Sequence, residues 1–199
     1  MRTFSIGFLC LVLGVVVTGC GSDDGGGGSA SCNAASACGG NIVGTWHISN
    51  VCLPPVDVPP PDTCPSGKIS VPNPTATGTI TFADDGTMTT AVTTTFKESV
   101  SFPVSCYNEA QCTQFAAVAQ QQDGVTGATC AFNATSGCSC SLTLSSDDTS
   151  SGTYTVSGSN ITTSSAGSPD DNGTYCVSGS TLSVRQTDAD GTTTIIATK

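Results

Sequence analysis

Basic side chains are scarce in this chain. Five lysines and arginines stand against fifteen aspartates and glutamates in 199 residues, a formal net charge of −10. So few cations cannot assemble the basic surface that neutralises a nucleic-acid backbone, so no nucleic-acid partner is expected. Close electrostatic contact with anionic lipid is likewise disfavoured. Histidine is rarer still, since His47 is the only one. No second base accompanies a nucleophile, and the G-x-S-x-G, H-E-x-x-H and P-loop patterns are absent. The chain therefore reads as a non-enzyme with no cofactor. Large side chains are also few. Trp46 is the sole tryptophan, and Thr, Ser and Gly dominate. A core made from such residues offsets chain entropy only marginally.

Only one long apolar run exists, from Phe4 to Val17, behind Arg2. As a helix it would rise ~21 Å at ~1.5 Å per residue, short of a ~30 Å hydrocarbon core. A positive start, a short apolar run and small residues beyond it are the anatomy of a secretory signal peptide, here 1–19. The run ends in Val17-Thr18-Gly19-Cys20, which resembles the lipobox of bacterial lipoproteins. That resemblance implies cleavage before Cys20, lipid on its sulfur, and an acyl chain such as palmitate on the new amino terminus. Two or more acyl chains anchor stably where one does not. The domain is thus expected on a membrane surface of the cell envelope, in the periplasm or on the cell surface. Gly21 rather than Asp follows Cys20, which by resemblance to enteric sorting favours the outer membrane. Gly21 to Ser31, GSDDGGGGSAS, has nothing to pack. It reads as flexible coil reaching ~20 Å, from ~5–6 Å × √n. The lipidated cysteine and tether are assigned to 20–40, and a single domain to 41–199. Loss of Arg2 with the signal leaves 4 − 15 = −11.

Cysteine is what the chain has in plenty, twelve in all. Cys10 lies in the signal and Cys20 carries lipid. The others are Cys32, Cys38, Cys52, Cys64, Cys106, Cys112, Cys130, Cys138, Cys140 and Cys176. An even number in an exported chain reads as a disulfide framework that compensates for a thin core. Short loops make Cys32–Cys38, Cys52–Cys64 and Cys106–Cys112 plausible neighbours. In a strand, Cys138 and Cys140 would point to one face, side by side. Separate partners are expected for them, with Cys130 and Cys176 as candidates. With no C-x-x-C pair and one histidine, no metal site is expected.

The domain reads as all-β. Asn41 to Cys52 is β-rich, with Trp46, Ile48 and Cys52 on one face and Thr45, His47 and Ser49 on the other. Residues 53–75 hold most of the ten prolines and form a surface loop stapled by Cys64. Thr77 to Ala83 alternates, Asp84-Asp85-Gly86 signals a hairpin, and Thr87 to Val104 continues as strand. Residues 108–122 are the exception. Helix formers without Gly or Pro, a stripe at Phe115, Val118 and Ala119, and a cap at Asn108 predict one short helix. Gly124 to Gly137 reads as loop with a strand inside it. From Cys138 strands recur, with turns at Asp147 to Gly152, Gly158, Gly179 and Asp190-Gly191. Tyr154-Thr-Val-Ser-Gly-Ser-Asn-Ile161 and Tyr175-Cys-Val-Ser-Gly-Ser-Thr-Leu182 are near-copies of one hairpin. Tight turns at such intervals predict an antiparallel up-and-down meander, closed as a barrel of about eight or nine strands, or else a β-sandwich.

Gly44-Thr45-Trp46 on the first strand, followed by a meander over 41–199, resembles the lipocalin-like domains of bacterial lipoproteins. The resemblance implies that Trp46 plugs one end of the barrel and that Arg185, from a late strand, packs on its ring. No T-D-Y-type motif accompanies it, and the proline-rich segment, the helix and the cysteines are additions. Two functions follow. The barrel could bind a small hydrophobic ligand inside, against Phe82, Leu142, Leu144, Tyr154, Tyr175 and Leu182. Alternatively it is filled, and the chain is a structural or protein-interaction lipoprotein. Asp147-Asp148 and Asp170-Asp171-Asn172-Gly173 could offer oxygens to calcium, but match neither the EF-hand nor the nonapeptide pattern, and Asp-rich turns rarely need a metal.

Overall fold

A computed structural model describes residues 36–54, 64–72, 74–165, 170–188 and 191–199. The signal peptide, Cys20, Cys32, most of the tether and the tip of the proline-rich loop lie outside the described residues. Ten strands and one helix follow one another: β1 (Gly44–Cys52), β2 (Lys68–Ser70), β3 (Thr75–Phe82), β4 (Thr87–Phe102), α1 (Glu109–Ala119), β5 (Val125–Asn133), β6 (Gly137–Ser157), β7 (Asn160–Ser165), β8 (Asp171–Ser178), β9 (Thr181–Asp188) and β10 (Gly191–Thr198).

Eight of these strands make a closed antiparallel barrel in the order β4-β3-β1-β10-β9-β8-β7-β6, and β6 returns to pair with β4. Leaving out β2 and β5, each wall strand neighbours the next in sequence, so the barrel is an up-and-down meander. Closure removes the edges that an open sheet would expose. Alternation drives it. On β3, Ala76, Ile80 and Phe82 are buried while Thr75 and Thr77 face solvent. The register continues across the wall, with Trp46 opposite Ile80, and Ala197 opposite both Ile48 and Leu182. The Asp84-Asp85-Gly86 hairpin forms as expected. Asp85 accepts from the Thr87 hydroxyl at 2.6 Å and the Thr87 N–H at 2.9 Å. Those bonds hold its carboxyl below the usual range.

The sequence misleads at Asp147 to Gly152. No turn occurs there, and β6 runs straight through. Its partner β4 is rich in hydroxyls that satisfy these polar residues from across the sheet. The Thr93 hydroxyl donates to Asp147 at 2.6 Å, and Thr90 and Ser150 hydroxyls meet at 2.8 Å. The β4–β6 ribbon is consequently too long for the barrel and continues outside it. There β2 joins β4 and β5 joins β6, giving a four-stranded extension of the same sheet. The strand expected inside Gly124 to Gly137 is β5, which takes up most of that segment, and the proline-rich region contributes β2.

This extension is covered on one face by α1, which packs on β5 and β6. Asn108 caps the helix in a capping box with Gln111, satisfying two end amides reciprocally. The buried helix positions are Cys112 and Ala119, with Phe115 partly buried between them. Val118, expected in the stripe, is 49% exposed. The Cys112–Cys138 bond turns the helix so that the Cys112/Phe115/Ala119 line faces the sheet. Phe102 stacks on Tyr107 at 4.3 Å and meets Phe115 edge-on at 5.4 Å.

Two cores result. The barrel holds twelve buried residues, including Trp46, Phe82, Tyr154, Tyr175 and Leu182. The extension holds nine, of which Cys64, Cys112, Cys138 and Cys140 are cysteines. Leu142 and Leu144, expected inside the barrel, belong to the extension. They lie on the half of β6 that pairs with β5, beyond the point where the barrel wall leaves the ribbon. Cys52 also departs from expectation. A register shift between Ile48 and Asn50 brings Val51 onto the barrel core, and Cys52 is buried outside both cores.

Candidate functional site

The barrel interior was the candidate ligand site, and its lining decides what it can hold. Trp46 and Ala197 are 0% exposed, Leu182 1% and Ile161 2%. These side chains come from four different wall strands and belong to one buried cluster. Phe82 and Tyr154 close on each other edge-to-face, centroids 4.9 Å apart. Of the six residues expected to line a ligand, Phe82, Tyr154, Tyr175 and Leu182 are together in this cluster, packed against their neighbours. A concavity lies elsewhere, on the barrel's outer wall. It is a shallow groove of about 560 Å³ over β4, β6 and β7, lined by residues such as Thr87, Met88, Thr89, Ser151 and Ser164.

One end of the barrel is closed by the chain just before β1. Trp46 Nε1 donates to the Ile42 carbonyl at 2.7 Å, and Ile42 is buried beside it. The cation over the indole is not Arg185. That side chain is exposed: Arg185 pairs with Thr194, while the adjacent pair Val184 and Ile195 belongs to the barrel core. Lys199 takes the place, its Nζ 4.3 Å from the ring centroid and donating to the Val43 carbonyl at 2.9 Å. Gly44 makes room for it. A Cβ at Gly44 would sit 2.9 Å from both Cε and Nζ of Lys199, and its φ of +129° is open to glycine. The G-x-W pattern thus has a local physical cause. The glycine admits the ammonium, and the tryptophan receives it. Nothing in the sequence flags Lys199, one residue past the last strand, for this role.

The two copies of the repeated hairpin do the same work at this end. The Tyr154 hydroxyl donates to the Ala83 carbonyl at 2.8 Å, and the Tyr175 hydroxyl to the Gly40 carbonyl at 2.9 Å. Each ring lies in the core while its hydroxyl satisfies a loop carbonyl. Burial, with Asp84 and Asp85 nearby, pushes the Tyr154 hydroxyl's pKa up. The tether also ends sooner than expected. Gly39 pairs with Cys176 in a parallel bridge, and Cys38 bonds to Cys176, so 38–40 belong to the fold.

The disulfides link distant segments more than near ones. Among the described residues the pairs are Cys38–Cys176, Cys64–Cys106, Cys112–Cys138 and Cys130–Cys140. Cys52 is disulfide-bonded as well. The short-loop pairings Cys52–Cys64 and Cys106–Cys112 do not form, and Cys38 is taken by Cys176 rather than Cys32. Contact after folding, not loop length, selects the partners. Cys138 and Cys140 lie side by side with Sγ atoms 3.5 Å apart, on separate partners. Cys130 is one of those partners, and Cys112 stands where Cys176 was expected.

The remaining polar candidates are dispersed. His47 is exposed on β1. Glu98 sits half-buried on β4 opposite Leu142, where desolvation raises its pKa. Asp170 accepts from the Ser164 hydroxyl at 2.6 Å, and Asn172 from Thr162 at 2.8 Å. These bonds account for the acidic segments within the sheet. No family model, curated protein or solved structure matches this chain in comparisons.

Proposed function

We propose that this chain is a non-catalytic lipoprotein of the cell envelope, held at the outer membrane. Lipid on Cys20 anchors it, and the barrel is a filled structural scaffold rather than a ligand carrier. The observation that carries the filled-barrel reading is the near-complete burial of Trp46, Ile161, Leu182 and Ala197, from four wall strands, in one apolar cluster. Barrels of about eight strands are narrow enough for their own side chains to fill. The anchor rests on the Val17-Thr18-Gly19-Cys20 pattern and the glycine-rich run behind it. The acidic surface keeps the domain off anionic headgroups and soluble. Its role is to present a disulfide-hardened β surface to another envelope component.

The test uses Trp46 as reporter. The oxidised domain is titrated with fatty acids and other small apolar molecules while indole emission is followed. A filled barrel gives no saturable change. A saturable change at micromolar ligand would instead establish the hydrophobic carrier. For the anchor, radiolabelled palmitate should enter the chain in a bacterial host, and Cys20→Ser should abolish both label and membrane partition. Retention of label by that variant would contradict the anchor.

A further inference from the structure

We propose that Cys112, Cys130, Cys138 and Cys140, once reduced, form a four-thiolate site for zinc(II). Their four Sγ atoms all lie within 4.8 Å of one another. They converge from three elements: Cys112 from α1, Cys130 from β5, and Cys138 and Cys140 from β6. Tetrahedral zinc with Zn–S of ~2.3 Å places neighbouring sulfurs ~3.8 Å apart. Cys138 and Cys140 already stand at 3.5 Å. The sequence spacing hides the site, because a C-x-C pair joins one residue from a neighbouring strand and one from a helix. Cys38–Cys176 and Cys64–Cys106 belong to no such cluster among the described residues.

The surroundings suit a structural metal. Phe102, Ala128 and Leu142 belong to the same buried cluster, excluding water from the sulfurs. Cys112, Cys138 and Cys140 are at most 3% exposed, whereas Cys130 is half-buried and offers the way in. A dithiol reductant supplies the electrons. Each of two dithiol molecules gives two electrons and two protons and leaves as its own cyclic disulfide. The Cys130–Cys140 and Cys112–Cys138 S–S bonds break, and four thiols form. Zinc then displaces their four protons as four Zn–S bonds form. In either state the same four sulfurs tie α1 to β5 and β6. The helical layer is therefore clamped by disulfides under oxidising conditions and by metal under reducing ones.

The test is metal uptake by the whole chain. It is reduced anaerobically with excess dithiothreitol, desalted, and titrated with Co²⁺ and then Zn²⁺. The expected result is a single Co²⁺ per chain with intense tetrahedral d–d bands and thiolate charge transfer, displaced by one equivalent of Zn²⁺. Cys38→Ser/Cys176→Ser and Cys64→Ser/Cys106→Ser variants should keep this signature, and Cys130→Ser/Cys140→Ser should lose it. Trp46 emission, which reports the separate barrel core, checks that each reduced protein stays folded. Three results would overturn the site: no stoichiometric tetrahedral species, its survival in Cys130→Ser/Cys140→Ser, or uptake only by a chain whose Trp46 is exposed to solvent.

Discussion

The barrel and the extension solve one problem with different residues. Both must bury enough surface to hold a Thr- and Ser-rich chain together. The barrel does so with volume, around Trp46, Phe82, Tyr154, Tyr175 and Leu182; none of the twelve residues of its core cluster is a cysteine, and its buried Cys52 and Cys176 are disulfide-bonded outside that cluster. The extension has a single helix on four strands, and four of its nine buried residues are cysteines. Three of the four described pairings tie it together: Cys64–Cys106, Cys112–Cys138 and Cys130–Cys140. The lesson is substitution. Where side chains are large enough to fill the space, dispersion and hydrophobic burial hold the strands. Where they are not, covalent bonds restrict the unfolded chain instead.

That contrast breaks most visibly at Trp46. Trp46→Ala should destabilise the barrel by about 3–5 kcal/mol, the usual cost of truncating a buried aromatic. Calorimetry should show the loss as a fall in the main transition. A change below about 1 kcal/mol would mean that the barrel core carries little of the stability. In the extension the comparable blow is covalent. Cys112 and Cys138 are separated by 26 positions. Replacing both by Ser should cost about 3 kcal/mol and loosen α1, read by circular dichroism at 222 nm, while near-ultraviolet signals of the barrel persist.

Smaller changes sharpen the comparison. Tyr154→Phe keeps the ring but strips the Ala83 carbonyl of its donor, at a cost of about 1 kcal/mol. Tyr175→Phe, its counterpart in the repeat, should cost about the same at the Gly40 carbonyl. Unequal costs would show that the two hairpins are alike in sequence only. The smallest effect is expected at Glu98 on the extension's apolar face. Its raised pKa means that the fold favours the protonated acid. That stabilisation is present below the ordinary carboxyl range and is lost as pH rises through the folded value. Glu98→Gln should therefore match the parent at acidic pH and exceed it at neutral pH. The gain is on the order of 0.5 kcal/mol, discounted for partial solvent screening. Paired urea melts at the two pH values would register it, and a gain that grew toward acid would contradict it.

The sequence was readable where alternation and turn chemistry act locally. Trp46 and Ile80 inward, the Asp84-Asp85-Gly86 hairpin, the two Tyr hairpins and the Asn108 cap all follow from neighbours within a few residues. It misled where the deciding partner is remote. Asp147 to Gly152 looks like a turn until β4 lies beside it with Thr90 and Thr93 to meet its side chains. That one strand moved Leu142 and Leu144 out of the barrel. Lys199 rather than Arg185 reaches Trp46 because closure of the barrel, not strand order, brings the last residue against the first strand. Disulfide partners were hidden for the same reason, as Cys38 and Cys176 are 138 positions apart.

The two-core account is tested most directly by unfolding the oxidised and reduced chain in urea, following Trp46 emission and helical dichroism together. Trp46 reports the barrel alone, and α1 is the one helix among the described residues. With disulfides intact the two signals should coincide or nearly so. After metal-free reduction the helical signal should move to markedly lower urea while Trp46 retains a buried, cooperative transition. A single coincident transition in the reduced chain would contradict it, because the barrel would then depend on the crosslinks as much as the extension does.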